Sequence, residues 1–326
     1  MREWLEARWY CGMPVPGWLG ALERLYARLI ALREALYRRG WRRRIHPGVP
    51  VIVIGNLTVG GTGKTPVVIA LAEALAERGL RPGVVSRGYG RWGRGLRWVE
   101  PGAAAEQVGD EPLEIRIAAG CPVVVAADRA RAARVLASSG KVDVILSDDG
   151  LQHHRLARDV EIVLVDGTLG FGNGRLLPAG PLREHPARLE RADLVLVRDG
   201  RGGGERRGFR IEPVRFRRLG SEESAPITAF AGREAIAAAA IARPERFFAD
   251  LEALGVHLRL RLPLPDHAPL RELPSESPEL PLLITRKDAV KLFGAALGAR
   301  EVWYLESKAI LPETVIDTVL SRIAPP

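Results

Sequence analysis

The sequence is poor in cysteine and in long apolar runs, and both shortages narrow the class of protein. Cys11 and Cys121 are the only cysteines among 326 residues and form no C-x-x-C pair. Neither a disulfide framework nor a thiolate metal site is therefore expected. No uninterrupted apolar run reaches the roughly 18 residues that cross a membrane, and the first residues lack the pattern of a cleaved signal. We expect a globular protein whose body stays in the cytoplasm.

Acidic residues are in the minority, which gives the chain a basic balance. It has 48 Lys and Arg against 39 Asp and Glu, a net charge of +9 and a pI near 10.1. This balance suits nucleic acid, an anionic membrane surface or a phosphorylated substrate. The sequence shows no basic stripe interleaved with aromatic residues and no recognised nucleic-acid motif. We therefore expect no nucleic-acid partner, and nothing in the sequence indicates a stable protein partner.

Much of the basic charge lies in segment 18–44. Leucines recur there at steps of three and four residues, at Leu22, Leu25, Leu29, Leu32 and Leu36. Arginines fall mostly between them, and tryptophans stand near both ends, as in helices that lie in a membrane interface. The alternative is an ordinary helix that packs on the protein's own core and exposes an arginine-rich face. We expect segment 18–44 to bind an anionic membrane surface.

The most informative segment is the glycine-rich loop 55–66, GNLTVGGTGKTP. It follows a short apolar run and precedes a helical pattern, which is the context of a phosphate-binding loop. Glycines let backbone N–H groups face phosphate oxygens, Lys64 adds a charge, and Thr65 can place its hydroxyl on Mg²⁺. Thr58 stands where the usual G-x-x-x-x-G-K-[ST] pattern has glycine, so the loop is a variant. The residues expected to bind a nucleoside triphosphate are Gly60, Gly61, Thr62, Gly63, Lys64 and Thr65.

Strand and helix patterns alternate around this loop. Apolar runs at 51–54, 83–86, 122–126, 142–146 and 160–165 predict strands, and 65–78, 111–119 and 128–138 predict helices. Continuous apolar strands that alternate with helices indicate a parallel sheet covered on both faces. The predicted fold class is α/β, a P-loop NTPase-like and mainly parallel sheet with helices on both faces.

A glycine-rich, charged stretch divides the chain. We predict an N-terminal helical segment 1–44 as part of the first domain, a nucleotide-binding core 45–199, a linker 200–212 and a smaller α/β domain 213–326. The smaller domain is expected to complete the active-site cleft. Its predicted strands are 227–230, 256–262, 281–285 and 301–305, and its predicted helices are 244–254 and 287–297. A proline-rich loop is expected at 263–281.

Several carboxylates are placed where a nucleotide-binding sheet would use them. Asp148 and Asp149 end an apolar strand, an arrangement that presents acids to the metal of a triphosphate, although a turn with Gly150 would explain them too. Asp110 opens a helix and could be only its N-cap. Asp266 and His267 lie in the proline-rich loop and could be ordinary surface.

Adjacent His153 and His154 do not predict a zinc site. Arg87 follows a strand in SRGYGR, which suits anionic groups.

Seven ordered motifs in this chain resemble the tetraacyldisaccharide 4′-kinase family, which phosphorylates the lipid A disaccharide precursor. They are GNLTVGGTGKTP at 55–66, SRGYG at 86–90, GDEP at 109–112, DDGLQH at 148–153, GNGRLLPAGPLRE at 172–184, PERFF at 244–248 and PDH at 265–267. The resemblance covers almost the whole chain and runs in the family's order, and the six motifs beyond the phosphate loop are highly specific.

The resemblance implies residue roles. Asp110 and His267 look like an acid–base pair that takes the proton from the sugar hydroxyl, with His267 supporting Asp110 across the cleft. The candidate metal ligands are Thr65, Glu111, Asp148 and Asp149, and which carboxylate touches Mg²⁺ stays open. The residues expected around the nucleotide or acceptor phosphate are Arg87, Arg129, Arg183 and Glu184.

The expected function is that of an ATP- and Mg²⁺-dependent lipid kinase, peripheral on the cytoplasmic face of the inner membrane. It would transfer the γ-phosphate to the 4′-hydroxyl of an acylated glucosamine disaccharide 1-phosphate. Ala268-Pro269-Leu270 and His185 depart from the family pattern, which leaves the acceptor contacts and the acyl-chain preference open. The alternatives are a P-loop NTPase of the metallochaperone or carboxylation-ligase type and, on charge alone, a nucleic-acid-binding NTPase.

Overall fold

The described residues of this computed structural model are 2–199, 206–268, 277–293 and 300–324. Their helices, in chain order, are α1 (Arg2–Tyr10), α2 (Gly17–Arg38), α3 (Lys64–Glu77), α4 (Ala105–Val108), α5 (Asp110–Ala119), α6 (Arg129–Ser138), α7 (Pro244–Ala253), α8 (Arg286–Leu292) and α9 (Glu313–Ile323). Their strands are β1 (Val51–Asn56), β2 (Pro82–Ser86), β3 (Arg97–Trp98), β4 (Val123–Val125), β5 (Val144–Asp148), β6 (Val160–Asp166), β7 (Leu194–Arg198), β8 (Arg206–Arg218), β9 (Ser224–Pro226), β10 (Glu234–Ala239), β11 (His257–Pro263), β12 (Leu282–Thr285) and β13 (Val302–Ile310).

A single run of hydrogen-bonded strands connects the N-terminal half of the molecule, from α1 to β7, with the C-terminal half, from β8 to α9. Its order is β11-β10-β12-β13-β8-β7-β6-β1-β5-β2-β4-β3, with β9 paired to β8. The pairs β13–β8, β8–β9 and β3–β4 are antiparallel, and the other pairs are parallel. The phosphate loop follows β1, near the middle of the parallel block. This confirms the predicted α/β fold class.

Both faces of the parallel block are covered by helices, as the continuous apolar strands predicted. Along β1, Ile52 and Ile54 belong to a core with the apolar side chains of α3. Val51 and Val53 belong to a second core on the other face, with the alanines and leucine of α6. Alternate side chains of a strand point to opposite faces, so one short apolar run serves two cores.

Strand β8 takes part in both halves of the sheet. Its first residues, Arg206–Phe209, pair in parallel with β7, and residues from Arg210 to Arg218 pair antiparallel with β13. The predicted linker 200–212 is therefore corrected for 206–212, which form a strand, while 200–205 lie outside the described residues. Pairing first with β7 and then with β13 stabilises an extended backbone in spite of the glycine and arginine content. The division into two domains stays a prediction.

Other local predictions also need correction. Residues 227–230 form turns rather than a strand, whereas the alanine-rich strand β10, with Ala235 to Ala239 buried, was not predicted. Burial between two neighbouring strands overrides the weak β propensity of alanine.

Helix α2 ends at Arg38, so 39–44 lie beyond it. Helices α1 and α9 were missed. Part of the predicted helix 287–297 and of loop 263–281 lies outside the described residues.

Within the described ranges, no helix is long and apolar enough to cross a membrane. Helix α2 is long but amphipathic. Its residue Leu19 is buried, while Trp18, Leu25 and Leu29 are more than half exposed. Tyr26 donates from its hydroxyl to the carbonyl of Arg183 at 3.1 Å. Leu22, Leu25, Leu29 and Leu32 therefore face outward, whereas Leu36 of the predicted set is only partly exposed. Leu19 and polar contacts attach the helix to the protein.

Removal of the aromatic core of the C-terminal half should destabilise the protein. Phe216 is fully buried, and its ring centroid lies 4.7 Å from that of Phe230. We expect Phe216→Ala to lower the free energy of unfolding by about 3–5 kcal/mol, because it removes buried contacts and leaves a cavity. Denaturant unfolding measures this. Val214→Ala, at a 45% exposed position of the same strand, is the control and should change stability by about 0.5 kcal/mol or less. Equal losses of unfolding free energy in the two variants would contradict the placement of Phe216 in the buried core.

Candidate active site

The phosphate loop leaves β1 and ends at the first turn of α3. Gly60 and Gly63 have positive φ values of 112° and 88°. A side chain at Gly63 would also approach Ile211 of β8, with a Cβ only 2.9 Å from its Cδ1. Glycine is required there for both conformation and space. The hydroxyl of Thr62 is buried and has no hydrogen-bond partner, so this loop can still accept a polar ligand.

Lys64 connects the loop to the carboxylates after β5. Its Nζ donates to Oδ1 of Asn56 at 3.1 Å and lies 3.8 Å from Oδ1 of Asp149. Oδ2 of Asp148 accepts a hydrogen bond from the hydroxyl of Ser86 at 3.1 Å, while Oδ1 of Asp148 is buried without a partner. The apolar strands β1 and β5 are parallel neighbours, which brings the two motifs to the same edge of the sheet.

The two neighbouring carboxylates differ in electrostatic environment. Burial raises the pKa of Asp148 to about 7, and the nearby Glu111 and Asp149 add to the increase. Burial would also raise the pKa of Asp149, but Lys64, Arg183 and Arg129 outweigh it and hold that pKa at about 2. Asp149 is therefore ionised, whereas Asp148 needs a cation beside it to be fully ionised at neutral pH.

Arginines form the wall beside these acids. Nη1 of Arg183 lies 2.9 and 3.0 Å from the two carboxylate oxygens of Asp149. Nη2 of the buried Arg129 donates to the carbonyl of Asp149 at 2.9 Å, and Arg87 lines the same cleft. Glu184 lies behind the wall instead of in it. It is buried, accepts from Nε2 of Gln152 at 3.0 Å and pairs with Arg188 at 3.3 Å.

Asp110 and His267 meet across the cleft, although 157 positions separate them in the chain. Nδ1 of His267 lies 3.1 Å from Oδ2 of Asp110. Asp110 is the first residue of α5, and Gly109, with φ 96°, occupies the N-cap position, so the N-cap interpretation of Asp110 is wrong. Burial would raise the pKa of Asp110, but the hydrogen bond from His267 and the charges of Lys291 and Lys287 lower it. The carboxylate is held ionised at neutral pH.

These groups surround one cleft with a volume of about 1090 Å³. The phosphate loop and α3 form its floor, and Asp148, Asp149 and the arginines form one wall. His267 and Lys287 enter from the C-terminal half. Lys287, Arg243 and Arg246 also line the cleft, and no role was predicted for them from the sequence. The four-residue spacing of Lys287 and Lys291 on a predicted helix was the available signal.

Among the residues that the structure describes, no group of three or more His, Cys, Asp or Glu side chains could hold a metal by itself. Mg²⁺ in nucleotide sites uses one or two carboxylates, waters and the phosphates, so it does not require such a cage. Thr65, Glu111, Asp148 and Asp149 all line the cleft. The buried, unpartnered Oδ1 of Asp148 fits a bound cation.

Three features occur together in this cleft: a strand–loop–helix that presents glycines and Lys64, two acids at the end of the adjacent strand, and an arginine-rich wall. This combination defines a P-loop nucleotide-binding enzyme of the phosphoryl-transfer type. A family model described as tetraacyldisaccharide-1-P 4′-kinase matches residues 17–324. The chain belongs to this family, which confirms the resemblance found in the motifs.

Individual relatives agree over nearly the whole chain. The tetraacyldisaccharide 4′-kinase of Aeromonas hydrophila is 45% identical over 98% of this chain and 96% of its own length. That of Xanthomonas euvesicatoria is 47% identical over 97% and 94%. The crystal structure of the "apo" form of LpxK from Aquifex aeolicus in complex with ATP is similar with a TM-score of 0.78. It is 30% identical and covers 94% of this chain and 99% of that chain.

A buried acid beneath the cleft should make stability depend on pH. Burial raises the pKa of Glu114 from 4.5 to about 7, although Arg286 and Lys287 oppose the increase. The folded state keeps this proton to higher pH than the unfolded chain, so its contribution is complete at low pH and is lost as pH rises through about 7. We expect Glu114→Gln to remove this loss of stability at higher pH, because glutamine has no proton to release. The stability of the variant relative to wild type should rise by about 1–3 kcal/mol between pH 5 and pH 8.

Unfolding midpoints of both proteins at several pH values measure this difference. Glu190→Gln, at an exposed position, is the matched control and should show no such trend. If the unfolding midpoints of wild type and Glu114→Gln change with pH in parallel, the raised pKa of Glu114 is contradicted.

Proposed function

We propose that the protein transfers the γ-phosphate of ATP to the 4′-hydroxyl of tetraacyldisaccharide 1-phosphate. The observation that carries the proposal is the contact between Asp110 and His267 in a cleft whose floor is a phosphate-binding loop. An acid–base pair beside such a loop fits transfer to a hydroxyl. Membership of the tetraacyldisaccharide 4′-kinase family supports the identity of that hydroxyl.

The phosphate loop supplies binding and charge neutralisation for ATP. Backbone N–H groups from Gly60 to Thr65 and the N-terminal end of α3 suit the phosphates, and Lys64 adds a positive charge. Phosphoryl transfer depends mainly on in-line positioning and on stabilisation of charge on the transferred group. Arg87, Arg129 and Arg183 stand along the wall where anionic groups of nucleotide or acceptor would lie. Glu184, through Gln152, would help to keep that wall in place.

Asp110 suits the role of the group that takes the proton from the attacking hydroxyl. Its pKa is lowered by His267 and two lysines in spite of burial, so it is ionised and can accept. His267 contacts Asp110 from the other half and orients its carboxylate. Because the two residues come from different halves, productive geometry depends on how closely those halves approach.

Thr65, Asp148, Asp149 and Glu111 would hold Mg²⁺ in this cleft. The ion, when bound, would neutralise charge on the phosphates and orient them. Asp148 suits direct or water-mediated binding because its Oδ1 has no partner. Burial, together with the neighbouring acids, raises its pKa to about 7. A nearby cation would therefore favour its ionised form.

The metallochaperone or carboxylation-ligase alternative is not favoured. Such an NTPase shares the phosphate loop but gives no reason for the Asp110–His267 contact, whose closest atoms lie 3.1 Å apart. The family match also extends over both halves of the chain.

Loss of either member of the acid–base pair should abolish most of the transfer. We expect Asp110→Ala and His267→Ala each to lower kcat by about 10²–10⁴-fold, the usual contribution of a positioned acid or base. The assay measures labelled γ-phosphate that passes from ATP to tetraacyldisaccharide 1-phosphate in detergent micelles. ATP affinity, measured by calorimetry, should change little and serves as the control for folding. ATP hydrolysis by wild type without labelled lipid would contradict the function, and unchanged kcat in both variants would contradict the roles.

We further propose that α2 places the protein on the anionic cytoplasmic face of the inner membrane as a peripheral protein. Leu22, Leu25, Leu29 and Leu32 are 45–59% exposed, beside Trp18 at 58%. Apolar side chains flanked by arginines suit the boundary between head groups and acyl chains. The alternative of leucines packed on the core is disfavoured by this exposure.

The leucines of α2 should be required for membrane binding. We expect Leu25→Ser with Leu29→Ser to reduce co-sedimentation with anionic liposomes by about tenfold or more, since each buried leucine contributes roughly 1.5–3 kcal/mol. Val214→Ser with Ile117→Ser changes two exposed apolar residues elsewhere and is the matched control. Wild-type protein that stays in the supernatant with anionic liposomes would refute the proposal.

A further inference from the structure

Two lysines of α8 contact the Asp110–His267 pair from the C-terminal half. Lys287 and Lys291 stand four residues apart, on the same side of a helix. Nζ of Lys287 lies 3.3 Å from Nε2 of His267, and Nζ of Lys291 lies 3.6 Å from Oδ2 of Asp110. The side chains of both lysines are largely buried, with 15% and 6% exposed. Their charges help to lower the pKa of Asp110, but no contact with His267 has entered the reaction described above.

The ammonium of Lys287 has three acceptors around it. Besides Nε2 of His267, they are Oε1 of Glu111 at 3.1 Å and Oδ1 of Asp266 at 3.3 Å. An ammonium carries three N–H donors and no acceptor, so each donor has one partner. Two of the three partners are carboxylate oxygens, which require a donor. The side chain therefore acts only as a donor.

This arrangement permits one neutral form of the histidine ring. A nitrogen that faces an ammonium at hydrogen-bond distance must be an acceptor, because two N–H groups cannot bond to each other. Oδ1 of Asp266 also lies near Nε2, but at 3.7 Å it is beyond hydrogen-bond distance. Nε2 therefore carries no proton, and the ring proton lies on Nδ1, which faces Oδ2 of Asp110 at 3.1 Å. The same ring stacks at an angle on Tyr89, with centroids 5.0 Å apart.

We propose that Lys287 is a positioning residue for the acid–base pair: its ammonium holds Nε2 of His267 and thereby keeps the ring proton on Nδ1, directed to Asp110. The proposal rests on the proposed kinase function for its effect on catalysis, but not for the proton position. With both ring nitrogens engaged in this way, Asp110 is the member of the pair that takes the proton from the acceptor hydroxyl.

The backbone of the histidine loop is fixed by other contacts. The N–H of His267 donates to the carbonyl of Ala240 at 3.2 Å, and Nζ of Lys291 donates to the carbonyl of Ala268 at 3.2 Å. Lys291 is in turn anchored by Oδ1 of the fully buried Asp288 at 2.7 Å. Loss of the Lys287 ammonium should therefore release the ring without displacing the loop, which makes its role separable from folding.

The test compares Lys287→Met, Lys287→Arg and a control, Lys308→Met. Arginine, like lysine, carries N–H donors and no acceptor, and methionine keeps only the apolar stem. Lys308 is also paired with a glutamate, Glu73, at 2.9 Å but does not line the cleft. Two quantities are measured, the protonation of the His267 ring nitrogens by ¹⁵N NMR, assigned with His267→Asn, and the steady-state kinetics of lipid phosphorylation.

We expect the wild-type spectrum to show a proton on Nδ1 and a bare Nε2. Lys287→Met should mix the two tautomers and lower kcat by about tenfold to a hundredfold, as for a misplaced catalytic group. Its KM for ATP should change by about threefold or less. Lys287→Arg should keep the single tautomer and recover most of kcat, and Lys308→Met should match wild type.

A proton on Nε2 in wild type would overturn the proposal. So would a single Nδ1 tautomer in Lys287→Met together with kcat within about twofold of wild type. If Lys287→Met does not fold, the wild-type spectrum and Lys287→Arg decide the matter. If wild type phosphorylates no lipid, the proposed function fails, while the spectra still test the position of the proton.

Discussion

The double pairing of β8 is the constraint on which the site depends. One continuous strand hydrogen-bonds to β7 of the nucleotide-binding sheet and to β13 of the C-terminal half. Register in such pairing is specific, because a shift by one residue would exchange the faces of every side chain. Ile211 and Phe209 of β8 also approach Gly63 at the beginning of α3. The strand therefore connects the phosphate loop directly to the half of the molecule that carries His267, Lys287 and Lys291.

The carboxylates of the cleft fall into two groups according to their pKa values. Asp149 and Asp110 have lowered pKa values because cations lie beside them, and burial raises the pKa of Asp148 to about 7. Acids that are held ionised can pair with arginine or accept a proton, whereas an acid without a cation partner is suited to a bound metal ion. Opposite shifts of neighbouring carboxylates are characteristic of catalytic sites. The protein achieves this with lysines and arginines taken from both halves.

The sequence was sufficient for the parts of this arrangement that depend on local pattern. Apolar runs predicted β1, β2, β5 and β6, and the glycines with Lys64 predicted the phosphate loop. It was not sufficient for β8 and β10, whose glycine-, arginine- and alanine-rich residues are extended only because neighbouring strands pair with them. The Asp110–His267 pair came from family resemblance, since nothing local relates residues 157 positions apart. Lys287 and Glu184 show the same limit, because burial and partners decide what they contact.

Helix α2 relates the proposed membrane surface to the chemistry. Four of its leucines, from Leu22 to Leu32, face outward, while Tyr26 and Arg33 line the cleft and donate to the carbonyls of Arg183 and Gln152. The helix that would lie on the bilayer therefore also forms part of the cleft wall. An acylated acceptor could then keep its chains in the lipid while its sugar reaches Asp110, so little apolar surface would have to enter water. Membrane attachment and acceptor entry would in this way depend on one element of the fold.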